Sequence, residues 1–476
     1  MSRMQRIARE EWRALLRDRV AVLGLLLLSV LMLVATLTAH EHQRNANAER
    51  ARYQAQANEQ FAQQPDRHPH RVVHYGHFLF RPLNPLAAFD PGVDAFTGNT
   101  LFLEGHRQNS ANFGDVRQSS LLMRFGQLTP AFVLQVLAPL LLVFVGHAGV
   151  ARERESGTLR LLLAQGVAGR QIVGGKLLAL SGFTSLVLLP ALLALAWFAA
   201  SGQAPWRLAL LLAAGYAAWL LLWSLAVVWV STLFARGRDA LLALLAVWAV
   251  VVILLPRWVP DIANTALALP TRFENQINVE RDYQALGDAH NPDDPKFAEF
   301  RDALLKKHGV TRIEDLPVNF KGAVSIEGER QSTALFNRYA AAAFDRQQQQ
   351  NALVDGFSWI APTLALRRLS MAAAGTDLVS FQRFLDQGEQ YRYELVQGLN
   401  HLHAEALSYA DETNPNKSKR ISHKHWQAFP AFDYQAAPVA ETVGRAAPAA
   451  LILLLWLALL AGLAWRAGRR LERNVR

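Results

Sequence analysis

Residues 20–39 read VAVLGLLLLSVLMLVATLTA, twenty positions without a charge. At 1.5 Å per residue a helix of this length reaches ~30 Å, the thickness of a bilayer's hydrocarbon core. A cleavable signal peptide would have an apolar core of only about 7–15 residues, so the stretch reads as an uncleaved anchor. Five more apolar runs follow, about Leu128–Val150, Leu177–Ala200, Trp206–Phe234, Ala240–Leu255 and Ala447–Trp465. The chain therefore reads as an all-α polytopic membrane protein with six transmembrane helices. Pro130, Pro139 and Pro190 fall within these runs, where neighbouring helices can re-satisfy the backbone. Trp206, Trp258 and Trp465 fall where an aromatic belt would lie.

The charges orient the spans. The chain carries a formal net charge of +10, which alone would suit a nucleic-acid partner. However, four short segments, 1–19, 151–176, 235–239 and 466–476, hold 18 of the 49 Lys and Arg but only 7 of the 39 Asp and Glu. The remainder is almost neutral, so the basicity is a topology signal and no nucleic acid is expected. Short cytoplasmic loops retain Lys and Arg, which places both termini in the cytoplasm. Residues 1–19 read as a cytoplasmic helix lying on the membrane surface, with Ile7, Trp12, Leu15 and Leu16 at roughly helical spacing. The order is then span one (20–39), extracytoplasmic segment one (40–127), spans two to five (128–255), extracytoplasmic segment two (256–446), span six (447–465) and a basic cytoplasmic tail (466–476). With no Cys in the chain, disulfides and thiolate metal sites are excluded.

The two large outer segments read as mainly helical. Residues 41–64 lack Gly and contain no Pro and can prolong the first span. Pro295–His308 has Asp294 as N-cap and Gly309 as its stop. Ser325–Val354 and Pro362–Ala374 follow, the latter ending at Gly375; Thr376 or Asp377 caps a helix running to about Ala410. Val72–Pro91, rich in aromatics and Pro, reads as a short strand or extended segment followed by turns. Nearness of the span ends predicts that the two segments pack as one domain.

The loop 151–176, ARERESGTLRLLLAQGVAGRQIVGGK, stands between spans two and three. Ser156 and Gly157 can start a helix with Thr158 in its first turn. Leu159, Leu162 and Leu163 then form one apolar stripe. Gly166 and Gly169 are expected to break the helix before Ile172 and Val173 lead into span three. A short helix lying across the membrane surface is something a cytosolic motor can push.

The residues Glu153, Glu155, Gly157, Thr158, Leu159, Leu162, Leu163, Val167, Arg170, Ile172, Val173 and Lys176 give a pattern that resembles the coupling segment of ABC-2-type transporter permeases. The six-span layout and the basic N-terminal helix are similar too. The family commonly has Pro where this chain has Gly166; either ends a helix. The large outer segments depart from the usual plan and resemble a subgroup with extracytoplasmic insertions. The resemblance implies the permease subunit of an ABC exporter in a bacterial inner membrane. Its partners would be two copies of an ATP-binding subunit, a second permease copy or paralogue, membrane lipid, and a periplasmic or outer-membrane protein. The chain itself would be no enzyme and hold no cofactor; ATP and Mg would sit in the partner. Consistent with that, no P-loop is present: around Gly175-Lys176, Arg170 stands where the first Gly belongs and Leu177 where Ser or Thr belongs. Arg152, Glu153, Arg154, Glu155 and Arg160 are the expected docking contacts, with Gly166, Arg170 and Lys176 completing the segment. The alternative is a mechanotransmission or maturation factor that works on an extracytoplasmic partner without moving cargo.

No catalytic constellation emerges: Cys nucleophiles, G-x-S-x-G and H-E-x-x-H are all missing. Ser29, Thr36, Gln135, Ser181, Thr184, Ser185, Tyr216, Ser224 and Ser231 are the polar groups of the spans. They would either line a path for an amphipathic cargo or pack helices together. The histidines concentrate in the outer segments, with four H-x-H pairs. Polar surface is the plain reading and no metal is assigned. The residues that would ligate one, on a shared non-helical face, are His68, His70, His74 and His77; on a helix, as expected for His40/His42 and His401/His403, such pairs diverge.

Overall fold

The computed structural model describes residues 2–109, 111, 128–201, 204–291 and 293–473. The end of segment one, part of the short connection between spans three and four, and the last residues of the basic tail lie outside these. Among the described residues six helices are long and apolar enough to cross a membrane: Arg19–Ala62, Pro130–Glu155, Gly169–Ala200, Trp206–Leu233, Gly237–Ala266 and Val439–Glu472. They are spans one to six. The fold is all-α, with one two-stranded antiparallel ribbon. The end of the bundle that carries residues 2–18 is called proximal below, the opposite end distal.

At the proximal end, Arg3–Arg17 forms a helix closed by a capping box between Ser2 and Gln5. Asp18 is extended, and its carboxylate accepts the N–H of Val20, so it ends one helix and caps the next. The first helix lies on span three at glycines. A Cβ at Gly175 would fall 2.7 Å from Ile7 Cγ2, and one at Gly174 2.9 Å from Met4 Sδ. Small residues here let the helices approach closely. Ile7, Trp12 and Leu15 pack against the bundle core, whereas Leu16 is exposed and leaves the buried stripe.

Spans two and four form the centre of the bundle; one, five and six turn much of their apolar surface outward. Pro130 occupies the first turn of span two, where its missing N–H costs nothing. Pro139 and Pro256 each follow a wide π-helical stretch, Val133–Leu137 and Ala249–Leu254. A Pro ring crowds the preceding turn and removes a donor, and widening the turn relieves both. Carbonyls of the first stretch also serve other spans: Trp219 Nε1 donates to Leu134 O, five residues before Pro139, and Trp248 Nε1 to Val136 O, each at 3.1 Å. Most of the polar groups singled out in the spans join helices or their own backbone. Thr184 and Ser224 hydroxyls meet at 2.8 Å, and Gln135 Nε2 donates to Tyr216 OH at 2.9 Å.

Span one runs without interruption for 44 residues into the distal domain, a length of about 66 Å. Its outer part holds the edge of the ribbon. Arg50 Nη1 donates to Arg81 O at 2.9 Å, and Gln54 Oε1 accepts the N–H of Phe80 at 2.9 Å. Strand β1 (His77–Phe80) pairs with β2 (Thr100–Leu103), His77 opposite Leu103. The extended reading of Val72–Pro91 thus holds from residue 77; Pro69–Val73 is a helical turn. Leu79, Leu101 and Leu103 pack on Phe384 of the long helix Leu378–Ala406, and Val72 and Val73 pack on Leu395, Val396 and Leu399 of the same helix. The two inserted segments therefore share one core.

The helix Pro362–Ala374 departs from the expected placement outside the membrane bundle. Its Ala365, Leu366, Leu369 and Ala372–Ala374 are buried in the same apolar core as the spans. Leu369 fills the space left by Gly215 of span four. At thirteen residues it is too short to be read as a span. It is anchored by Ser370, whose Oγ meets Tyr216 OH at 2.9 Å and donates to Asp90 Oδ2. Burial raises the Asp90 carboxyl above its usual range.

Candidate functional site at the loop between spans two and three

Span two ends in the short turn Ala151–Glu155. Ser231 Oγ of span four accepts the N–H groups of Val150 and Ala151 at 3.0 and 3.1 Å, satisfying donors that a helix start leaves open. Gly157 then reverses the chain with φ 78°, and Thr158–Ala164 forms a short helix. No atom lies within 4 Å of a Cβ at Gly157, so the backbone angle alone demands glycine there. Gly166 ends the helix with φ 76°. Gly169, expected as a second breaker, instead opens the helix of span three. Its missing side chain matters for packing, since a Cβ would lie 2.3 Å from Gly468 O of span six. Gly169→Val is expected to cost about 1–3 kcal/mol by overpacking. A lowered melting temperature in detergent, with the last helix less protected from hydrogen exchange, would register it.

The charged residues of the loop turn mostly inward. Glu153 Oε1 accepts from Lys176 Nζ at 2.8 Å, and Lys176 also pairs with Glu11 of the N-terminal helix. Glu155 Oε2 accepts the N–H of Gly237 at the start of span five, at 3.2 Å. Arg154 donates to Thr232 O and Phe234 O at 2.9 and 3.1 Å. Arg170 pairs with Glu472 at 3.3 Å, its guanidinium 5.1 Å from the centre of the Trp465 ring. Arg3 Nη1 donates to Gly166 O. Thr158 and Ser156 hydroxyls meet at 2.8 Å. Leu159 is buried, with Leu162 and Leu163 half-buried against the bundle. Arg152, Glu155, Arg160 and Leu161 are exposed.

The loop is thus a hairpin of two short helices, tied to the N-terminal helix, to the turn between spans four and five, and to span six. The sequence reading missed Leu161, 64% exposed at the tip. Its signal was available: it is the leucine off the i, i+3, i+4 stripe. Lys176→Met is expected to free the N-terminal helix, because Glu11 and Glu153 would then repel each other without a cation between them. Faster hydrogen exchange in residues 3–17, with the distal domain unchanged, is the readout.

The four candidate ligands His68, His70, His74 and His77 do not share one place. His77 is buried beside Phe61 and Tyr391, and burial holds its imidazole down at about 4. His68 faces His403, with its Nε2 3.7 Å from Glu412 Oε1. His70 and His74 lie one helical turn apart, not on a strand, and meet His106 and His290. Burial, then the neighbouring imidazoles, hold His70 down at about 3, and burial lowers His74 as well. His106 and His290 escaped the sequence reading because only the fold brings them near residue 70.

These features define a multi-pass helical membrane protein whose two large insertions build one distal domain. A family model described as a domain of unknown function (DUF3526) matches residues 272–435, the greater part of the second insertion. No curated protein and no solved structure matches the chain.

Proposed function

We propose that the chain is the transmembrane permease subunit of an ATP-driven ABC exporter, coupled to a separate ATP-binding subunit through residues 151–176. The observation that carries this reading is the proximal hairpin. It is braced on three elements yet offers Arg152, Arg160 and Leu161 to a partner. On this reading the proximal end is cytoplasmic, the membrane is a bacterial inner membrane, and two ATP-binding subunits with their ATP and Mg serve two permease halves. A second copy or a paralogue supplies the other half. Glu153 and Arg154, bonded within the chain, then transmit movement, while the exposed Glu155 stays with Arg152 and Arg160 as a docking contact.

A second reading is favoured by the distal contacts. The ordered polar groups of spans two to four are engaged in helix packing. Span six is locked to the distal domain by Arg445 with Asp377 at 3.3 Å and by Arg383 with Glu441 at 2.5 Å. Span one enters the domain as one helix. Such a frame suits transmission of movement to an envelope partner without cargo. The test is a mild-detergent pull-down from native membranes with mass spectrometry and an ATPase assay, followed by transport in vesicles. Co-purifying ATPase with cargo moved supports export; ATPase coupling with none moved supports mechanotransmission; a chain free of any ATPase overturns both.

A further inference from the structure

The distal domain brings four imidazoles around one point. His70 and His74 come from the turn Pro69–Val73 and its C-cap, His106 from the turn after β2, and His290 from the loop after the helix Arg272–Gln284. One ring nitrogen from each lies within 4.8 Å of the others. All six ring pairs are in contact, with centres 4.6–5.8 Å apart. A tetrahedral ion with metal–nitrogen bonds of about 2.0–2.1 Å would hold such nitrogens about 3.3–3.4 Å apart, a modest contraction.

Three observations beyond proximity point to a ligand. First, His106 Nε2 is buried without a hydrogen-bond partner, an arrangement that folding normally avoids, and His70 Nε2 meets another imidazole nitrogen, His74 Nε2, at 3.0 Å. His106 as a whole is only 6% exposed. Second, two rings are oriented as ligands are. His106 Nδ1 sits 3.1 Å from Glu329 Oε2, and His290 Nδ1 3.0 Å from Asp288 Oδ1. A carboxylate on one imidazole nitrogen fixes the tautomer and leaves the other nitrogen for a metal. Glu329 is itself held by Arg392 Nη1 at 2.6 Å. Third, His106 has φ 65°, the one non-glycine with positive φ among the described residues. Strain of that kind persists where the surroundings impose it and often marks a binding site.

We propose that His70, His74, His106 and His290 bind one borderline divalent transition cation, of the Zn²⁺ or Cu²⁺ kind. An all-imidazole set suits these ions, whereas Ca²⁺ and Mg²⁺ take oxygen ligands. The neighbouring group of His68, His403 and Glu412 is different. There the carboxylate is already engaged by Asn319 Nδ2 at 2.6 Å and by Lys321 Nζ at 3.4 Å, so it reads as an internal ion pair. Three ligands come from the first insertion and His290 from the second. The ion would staple together two segments that four spans separate in sequence. The proposal is independent of the transport reading.

The test uses the full-length protein in detergent, purified through a tag without histidine, stripped by chelator and dialysed against Zn²⁺. One zinc retained per chain and a raised melting temperature are expected. Loading with Co²⁺ should give the visible spectrum of a tetrahedral nitrogen site. His74→Gln and His290→Gln should lose the ion, while His401→Gln, on an exposed ring of the same domain, should keep it. Asp288→Asn should weaken binding about 10- to 100-fold. His290 stands in a half-exposed loop, so its variant folds and keeps the test clean. No zinc retained by the wild-type protein, or zinc unaffected by both ligand variants, overturns the proposal.

Discussion

Arg392→Met will destabilise the distal domain by about 3–5 kcal/mol, the range found when one partner of a buried ion pair is removed. The Arg392 side chain is almost wholly buried and most of its donors are engaged. Nη1 reaches Glu329 at 2.6 Å and Glu104 O at 3.3 Å; Nη2 reaches Glu389 at 2.7 Å and Thr333 Oγ1 at 2.8 Å; Nε reaches Glu389 at 2.9 Å. Methionine of similar length leaves two carboxylates in a site built for a cation. The same cluster imposes an acid dependence. Burial would raise the Glu329 carboxyl, yet the hydrogen bond from His106 and the charge of Arg392 hold it at about 2, below its unfolded value near 4.5. Its contribution is complete above that unfolded value and drains away as the pH falls toward 2. Glu389 acts in the opposite sense, because burial lifts its carboxyl and favours the folded state in acid. Thermal unfolding of the solubilised protein at pH 7 and pH 3 measures both effects. A melting temperature unchanged by Arg392→Met at pH 7 would sink the account of the cluster.

On the proposed reading, Leu161→Glu is expected to weaken association with the ATP-binding subunit about 10- to 100-fold. Burying a leucine side chain contributes about 1.5–3 kcal/mol, and each 1.4 kcal/mol is a factor of ten. Leu161 lies at the tip of the proximal hairpin and makes no contribution to the bundle core, so the variant should insert and fold normally. Leu159→Glu, in the leucine stripe, would confuse two effects. Leu159 is buried under the hairpin, and a glutamate there would disturb the loop itself. Gly157→Pro is the backbone counterpart, since proline is confined to φ near −65° and the chain requires 78°. The ratio of co-purified ATPase to permease, with ATPase rate, gives the readout. Full retention of the partner by Leu161→Glu would remove the hairpin tip from the docking surface.

These two sites show different degrees of legibility. Span positions followed from apolar runs, because hydrocarbon thickness sets a length that can be counted along the chain. Helix ends were equally local. Asp294 caps the segment 295–308 that Gly309 stops in the left-handed conformation, Gly375 stops a second helix in the same way, and Asp377 starts the next. The hairpin itself was visible in the glycines at 157 and 166 and in the leucine stripe. What lay outside local reading was the partner of each charge. Glu153 and Arg154 look alike in sequence to the exposed Arg152 and Arg160; only convergence of the spans shows that the first two are tied within the chain.

Local hydropathy and backbone preference therefore determined the class of the protein, its six spans, its long helices and the turns of its proximal loop. Tertiary structure alone decided that Pro362–Ala374 enters the bundle, that Arg392 bridges Glu329 and Glu389, and that His70 and His74 meet His106 and His290. The reason is the range of the forces involved. Hydrophobic period and capping act over a few residues and leave their mark in a short window. An ion pair or a histidine cluster joins residues far apart in the chain, and its members carry no local mark of the neighbour that the fold will give them.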